Sequence, residues 1–201
     1  MITILFVTLY LIYSQLFKMK SYHTSVQKQF TYYKSLGDKT FEQLQDNQLF
    51  HQVNNESNSI AIIVKHLSGN MLSRWTDFLT TDGEKSWRNR DEEFTDTIRT
   101  KEDLLKVWEK GWACLFNAID PLTEEDFEKE IFIRNMGHSV VEAINRQLAH
   151  YAYHIGQIVF IGKMLANDNW SSLSIPKGNS KAYNTEKFNK PKRTEHFTDD
   201  L

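Results

Sequence analysis

Residues 139–166 read SVVEAINRQLAHYAYHIGQIVFIGKMLA, and this stretch decides the fold. Ser139 and Glu142 make the S-x-x-E pattern of a capping box, in which serine hydroxyl and glutamate carboxylate satisfy each other's orphan backbone N–H groups. Behind the cap, Leu148, Ile155 and Val159 fall on one face at 100° per residue. The pattern predicts a helix from Ser139 to about Ala166. His150 and His154 stand at the edge of its apolar face, four residues apart. That spacing puts both imidazoles on one side of the helix, about 6 Å apart between Cβ atoms. Their helical neighbours are polar: Arg146, Gln147 and Gln157, with Ala143 and Ile161 completing the row. A histidine serving only to pack a core would have apolar neighbours instead.

Working outward, a second apolar run covers Ser59 to about Thr80, with Ile60, Ile63, Val64, Leu67, Met71 and Phe78 on one stripe. His66 sits at the edge of that stripe, with Gly69 and Asn70 one turn further on. A glycine inside a helix costs about 1 kcal/mol relative to alanine; one use for that cost is open space beside the ring. A first helix is expected from about Tyr22 to about Leu44. A third is expected from the Thr100–Asp103 cap to about Ile119, stopped by Pro121. Leu122–Phe127 reads as one short turn, Glu130–Met136 as extended chain, and Gly137 as the turn residue after it. Thr81–Arg99 is charged and reads as a long crossover. With 8 glycines and 3 prolines, the chain is predicted to be all-α, a four-helix bundle with a long crossover between helices 2 and 3.

Polar groups at the margins of two apolar stripes line a cleft between helices. Two imidazoles at i and i+4 can share one ion, and a third can arrive from the neighbouring helix. Three protein nitrogens leave a coordination position open, as catalytic sites do. The candidate ligands are therefore His66, His150 and His154, and the candidate substrate-binding residues are Asn70, Arg146, Gln147 and Gln157. Arg88 and Arg90 in the crossover, or Arg146, can grip an anionic cosubstrate bidentately. An ion pair with Asp91, Glu92 or Glu93 is an equal alternative for the first two. Trp75 and Trp87 read as packing residues that hold the crossover down. No carboxylate close to His150 or His154 in sequence suggests itself as a general base.

Composition narrows the classes. The chain has 201 residues, 40% hydrophobic and 25% charged, with a net charge of −2. It fits one domain with a real core and offers no global field for nucleic acid or anionic membrane. Cys114 is the one cysteine and has no internal disulfide partner. Residues 1–18 form an uncharged, apolar leader up to Phe17, marginally short for a membrane span. It is read as a misassigned start ahead of Met19, with an N-terminal anchor as the alternative. Residues 19–188 are then the domain, and 189–201 a disordered polar tail. A cytoplasmic location follows from that reading. The expected partner is a small-molecule substrate, without nucleic acid or stable membrane association; a homodimer is allowed.

Five stretches carry a resemblance: SIAIIVKHLSGN (59–70), RWTDFLTTDGE (74–84), WRNRDEEF (87–94), QLAHYAYHIGQ (147–157) and LSIPKG (173–178). Over about Met19 to Phe188 the chain resembles the DinB/YfiT-like superfamily of four-helix-bundle metalloproteins, within it a bacterial branch labelled a domain of unknown function. The superfamily's triad, one histidine on helix 2 and an H-x-x-x-H pair on helix 4, maps onto His66, His150 and His154. The resemblance implies a divalent ion, zinc or nickel, and in some members a low-molecular-weight thiol such as bacillithiol as cosubstrate. It implies a thiol S-transferase or a related metal-dependent hydrolase. The alternatives are a non-catalytic metal-binding stress-response protein and a bundle that works through its surface. His23, His51, His138 and His196 match no ligand position; His138 reads as a turn residue and the others as surface.

Overall fold

The structure is a computed structural model that describes the backbone of residues 2–200 and the side chains of residues 20–199. The leader expected at residues 1–18 lies outside the described side chains. The fold is all-α: helices α1 (Ile2–Glu42), α2 (Ile60–Trp75), α3 (Lys101–Ile119), α4 (Val140–Ala166) and α5 (Ser180–Phe188), with one two-stranded sheet, β1 (Glu130–Ile133) and β2 (Met136–Ser139). Helix α2 lies along α3, α1 lies along α4, and α2 also meets α4. Among the described residues no helix is long and apolar enough to cross a membrane.

The caps formed as their sequences dictate. Ser59 opens α2 by accepting from the Ile62 N–H at 3.2 Å. Thr100 opens α3, and at Ser139 both halves of the capping box are present. Of α2's residues only Lys65, Gly69 and Leu72 escape burial. A helix buried almost all round is a core helix, and α2 packs against both α3 and α4. Gly111 lets α3 come close to it: a Cβ there would stand 2.8 Å from the Ser68 Cα. Around α2 the aromatic core is filled by Trp108, Trp112, Tyr151, Phe30 and Phe41, all fully buried. Tyr151 also carries polar contacts, accepting from Trp75 Nε1 at 3.0 Å and donating to Asn70 Oδ1 at 3.0 Å.

Two expectations shift. Helix α2 stops at Trp75 rather than near Thr80, because Asp77 takes a left-handed φ of 48° and its carbonyl collects the N–H groups of Thr80 and Thr81. The stretch expected as extended before a turn at Gly137 is a hairpin whose turn is Arg134-Asn135, with φ of 55° and 59°. Both positions of a type I′ turn need positive φ, which arginine adopts reluctantly. The Asp82 carboxylate compensates by accepting from both turn N–H groups, at 2.9 and 2.8 Å. Gly137 sits inside β2, paired with Phe132.

Segment 76–100 folds back over α2. Lys65 Nζ donates to the Glu92 carbonyl and, at 2.9 Å, to Thr95 Oγ1. Gly83 N–H donates to the Phe132 carbonyl at 2.8 Å, tying the segment to the hairpin. Trp75 is buried as expected, but Trp87 is 59% exposed. Hydrogen bonds, the ion pairs of Glu84 and Glu93, and the buried side chains of Phe78 and Ile98 hold the segment down, rather than that tryptophan. At the far end of the chain, Phe197 meets the Tyr32 ring and Lys28 pairs with Asp199 at 2.6 Å.

Candidate metal centre

Helices α2 and α4 bring the three histidines together. One nitrogen from each of His66, His150 and His154 lies within 4.8 Å of the other two. His66 Nε2 and His150 Nε2 are 3.3 Å apart. Two imidazole nitrogens bound tetrahedrally to one ion at about 2.1 Å would be separated by about 3.4 Å, so that pair is already at ligand spacing. The three rings meet edge to face, with centroids 4.7–5.4 Å apart.

Two of the imidazoles are fixed in the tautomer that such a site needs. His66 Nδ1–H donates to Glu93 Oε2 at 2.9 Å, and His154 Nδ1–H donates to Gln157 Oε1 at 2.8 Å. Each bond leaves Nε2 as the lone-pair nitrogen of its ring, and that of His66 faces His150 Nε2. A carboxylate or carbonyl behind the far ring nitrogen is what metal-ligating histidines almost always have. Burial, reinforced by the neighbouring rings, pushes His150 from its ordinary 6.5 down to about 3. Burial also lowers His154. Both imidazoles are neutral at physiological pH.

Glu93 is the residue that sequence reasoning did not assign to the site. It lies on the 3-10 turn Asp91–Phe94, 27 residues from His66, so no helical period links the two. Burial would raise its carboxyl, but the His66 bond and the Arg88 guanidinium outweigh that and hold it below the usual range. Arg88 grips it with two bonds, Nε to Oε1 at 2.7 Å and Nη2 to Oε2 at 2.9 Å. The next residue, Phe94, stacks on His66 with centroids 4.7 Å apart. Gly69 explains the fit: a Cβ there would stand 2.7 Å from the Glu93 Cδ. The space expected beside the His66 ring exists, and a carboxylate fills it.

The cluster forms one wall of a cavity of about 480 Å³ that opens to solvent. Asn70, Arg146, Gln147 and Gln157, the four residues singled out for substrate, all line it with the three histidines. Gln147 is 3% exposed and its Oε1 has no hydrogen-bond partner among the described residues. Of the two arginines in segment 76–100 expected to face a cosubstrate, Arg88 is an ion-pair residue, as its alternative reading had it. Arg90 instead lies over the Phe94 ring, 5.0 Å from its centroid. His138 is in β2 rather than a turn, and its Nε2 accepts from Arg146 at 3.1 Å. His23 contacts the Ile119 carbonyl at 2.8 Å, His196 contacts Ser25 at 3.3 Å, and His51 is exposed; all three are remote from the cluster. A larger, mainly apolar groove of about 690 Å³ lies elsewhere, between α2 and α3 beside Cys114, and among the described residues contains no ionic cluster of this kind.

No curated protein and no solved structure matches the chain. A family model described as "Protein of unknown function (DUF1572)" matches residues 18–179, which include every residue of the histidine cavity. A match of that extent places the chain in the DUF1572 family.

Proposed function

We propose that this chain is a divalent-metal-dependent enzyme built as a DinB/YfiT-like four-helix bundle, with segment 76–100 as the crossover between helices 2 and 3. Its ion is zinc or nickel, held by His66, His150 and His154. Its activity is transfer of a low-molecular-weight thiol of the bacillithiol type, or a related hydrolysis, on a small-molecule substrate. The observation that carries the reading is the gathering of three imidazoles, two with Nδ1–H bonded outward so that Nε2 keeps its lone pair, on the wall of an open cavity. Both geometry and donor type fit a divalent ion.

Bound there, the ion supplies Lewis acidity, bringing the pKa of a water or thiol toward neutrality. The chain's own groups do the rest. Glu93 and Gln157 keep His66 and His154 oriented. Gln147 and Asn70 offer amides at the cavity floor, while Arg146 and Gln157 stand at its sides. A second reading, a non-catalytic metal-binding protein of stress response, is favoured by one observation. The two carboxylates that pair with residues of the cavity wall, Glu93 and Glu84, are both tied to arginines, so neither is free to take a proton.

The test is metal quantification on purified protein, paired with a thiol-transfer assay using bacillithiol. The enzyme reading expects one equivalent of metal and thiol consumption in wild type, with both lost in His66→Ala. Equal metal in the two proteins would sink the ligand assignment. Metal without thiol consumption or hydrolysis would favour the binding protein.

A further inference from the structure

The histidine cavity is unbalanced in charge. Arg74, Arg88, Arg90, Arg134 and Arg146 border it, and no aspartate or glutamate does among the described residues. Two carboxylates stand behind that wall. Glu93 is occupied by Arg88 and His66. Glu84 presents one oxygen, Oε2, to three guanidiniums at once: Arg74 at 3.0 Å, Arg88 at 3.2 Å and Arg134 at 3.3 Å. Arg90 and Arg146 have no acidic partner within ion-pair distance among the described residues. Five arginines against two carboxylates leave three positive charges unmatched, in a chain whose net charge is −2.

Like charges gathered around one carboxylate repel each other, and that repulsion is strongest where water is scarce. Arg74 is such a case: it is 7% exposed, and its Nε has no hydrogen-bond partner among the described residues. The other guanidiniums are positioned as well. Arg90 rests on Phe94, Arg134 is held by Glu84, and Arg146 by His138, whose Nδ1–H donates in turn to the Met136 carbonyl at 2.8 Å. Gln147, with its unpartnered amide oxygen, sits on the same lining. A concave wall of oriented guanidiniums is the arrangement that binds carboxylates and phosphates through paired N–H groups.

We propose that this wall is an anion subsite, and that the cavity takes a small molecule bearing at least two anionic groups, carboxylate or phosphate, seated on Arg74, Arg90, Arg134 and Arg146. The cavity volume is that of ordinary small-molecule sites. The assignment deepens the enzyme reading above and rests on it for calling the ligand a substrate. The subsite itself requires no metal.

The probes are succinate and inorganic phosphate, titrated calorimetrically into the metal-free full-length chain, with neutral succinamide as control. Wild type is expected to bind both anions at millimolar or lower concentration, more weakly as salt is raised, and to ignore succinamide. Arg134→Gln/Arg146→Gln changes two exposed side chains and should bind at least tenfold more weakly with an unchanged circular dichroism spectrum. Arg99→Gln, an exposed arginine outside the cavity, should keep anion affinity within about threefold. Failure of wild type to bind either anion would overturn the subsite, as would undiminished binding by the double variant. So would binding that appears only in metal-loaded protein and ignores the arginines, because the anion would then be a ligand of the ion. Metal content measured on the same samples separates the two ideas. Metal uptake without anion binding sinks the subsite alone, and anion binding without metal uptake sinks the metal-enzyme reading alone.

Discussion

Helices α2 and α4 hold their imidazoles by opposite means. On α2, His66 is 5% exposed and locked by Glu93, which Arg88 clamps and Phe94 backs. Every one of those partners comes from segment 76–100. On α4, His150 and His154 are half-buried, and among the described residues their only side-chain hydrogen bond outside the cluster runs from His154 to Gln157, three residues along the same helix. One half of the site is therefore assembled by tertiary structure, and the other by helical adjacency. The first should be rigid and costly to disturb, the second pliant and cheap.

The largest effect tests whether the halves act together at all. His150→Ala removes the imidazole whose Nε2 faces His66 at ligand spacing, and bound metal should fall from one equivalent to below a tenth, read by elemental analysis. Retention of stoichiometric metal would dissolve the comparison, since the halves would not share an ion.

Glu93→Ala strikes the tertiary half. It leaves the Arg88 side chain, 3% exposed, without its bidentate partner. Removing one member of a buried ion pair costs about 3–5 kcal/mol, and losing the carboxylate behind a ligating histidine costs about 10–100-fold in metal affinity. Urea denaturation and a competitive chelator titration measure the two separately. A loss below about 1 kcal/mol would mean that the buried relay does not hold segment 76–100 in place.

Gly69→Ala sharpens the same point by a smaller amount. Alanine is favoured over glycine in a helix interior by about 1 kcal/mol, yet its Cβ would run into the Glu93 carboxylate. Overpacking typically costs about 1–3 kcal/mol, so a net loss is expected in the urea midpoint. A gain in stability would mean that the carboxylate moves aside freely.

The same division decides what was legible in the sequence. The capping box at Ser139, the apolar face of α4 and the i, i+4 histidines are local patterns, and local patterns are written in adjacent letters. His66 was legible because it also sits at a stripe's edge on a periodic helix. Glu93, Arg74 and Arg134 were not, because their roles arise only when segment 76–100 and the hairpin fold over α2. The one hint was Gly69, an expensive residue in a buried helix. It announced an empty volume without saying that a carboxylate would occupy it. The hairpin turn was missed for a related reason: Arg134-Asn135 is a poor I′ sequence by itself, and Asp82, 52 residues away, supplies the missing acceptors.

Between about pH 7 and 5.5 the α4 half carries the pH dependence of the metal-free protein. His150 titrates near 3 in the fold and near 6.5 unfolded, and His154 is displaced in the same direction. Below about pH 6.5 the unfolded chain therefore binds protons that the folded chain refuses, and stability falls as pH falls toward 3. Above pH 6.5 these groups contribute no slope. Because both rings are partly solvated, the loss between pH 7 and 5.5 should be about 1 kcal/mol or less per histidine. Urea midpoints in the presence of chelator give the slope, and His150→Ala should flatten it. A midpoint that rises on acidification would show that His150 is protonated in the fold.

The smallest effect belongs to Gln157→Ala. It frees the His154 ring to choose either tautomer but leaves His154 on its helix beside His150, so the helix itself keeps the nitrogen near the ion. Metal affinity should fall about tenfold, at the lower end for outer partners of metal ligands. Unfolding free energy of the metal-free protein should change by less than about 0.5 kcal/mol, as for surface substitutions that break no buried pair. A loss as large as that of Glu93→Ala would mean that α4 depends on its outer partner as strictly as α2 does. Adjacency on a helix would then be insufficient to aim an imidazole.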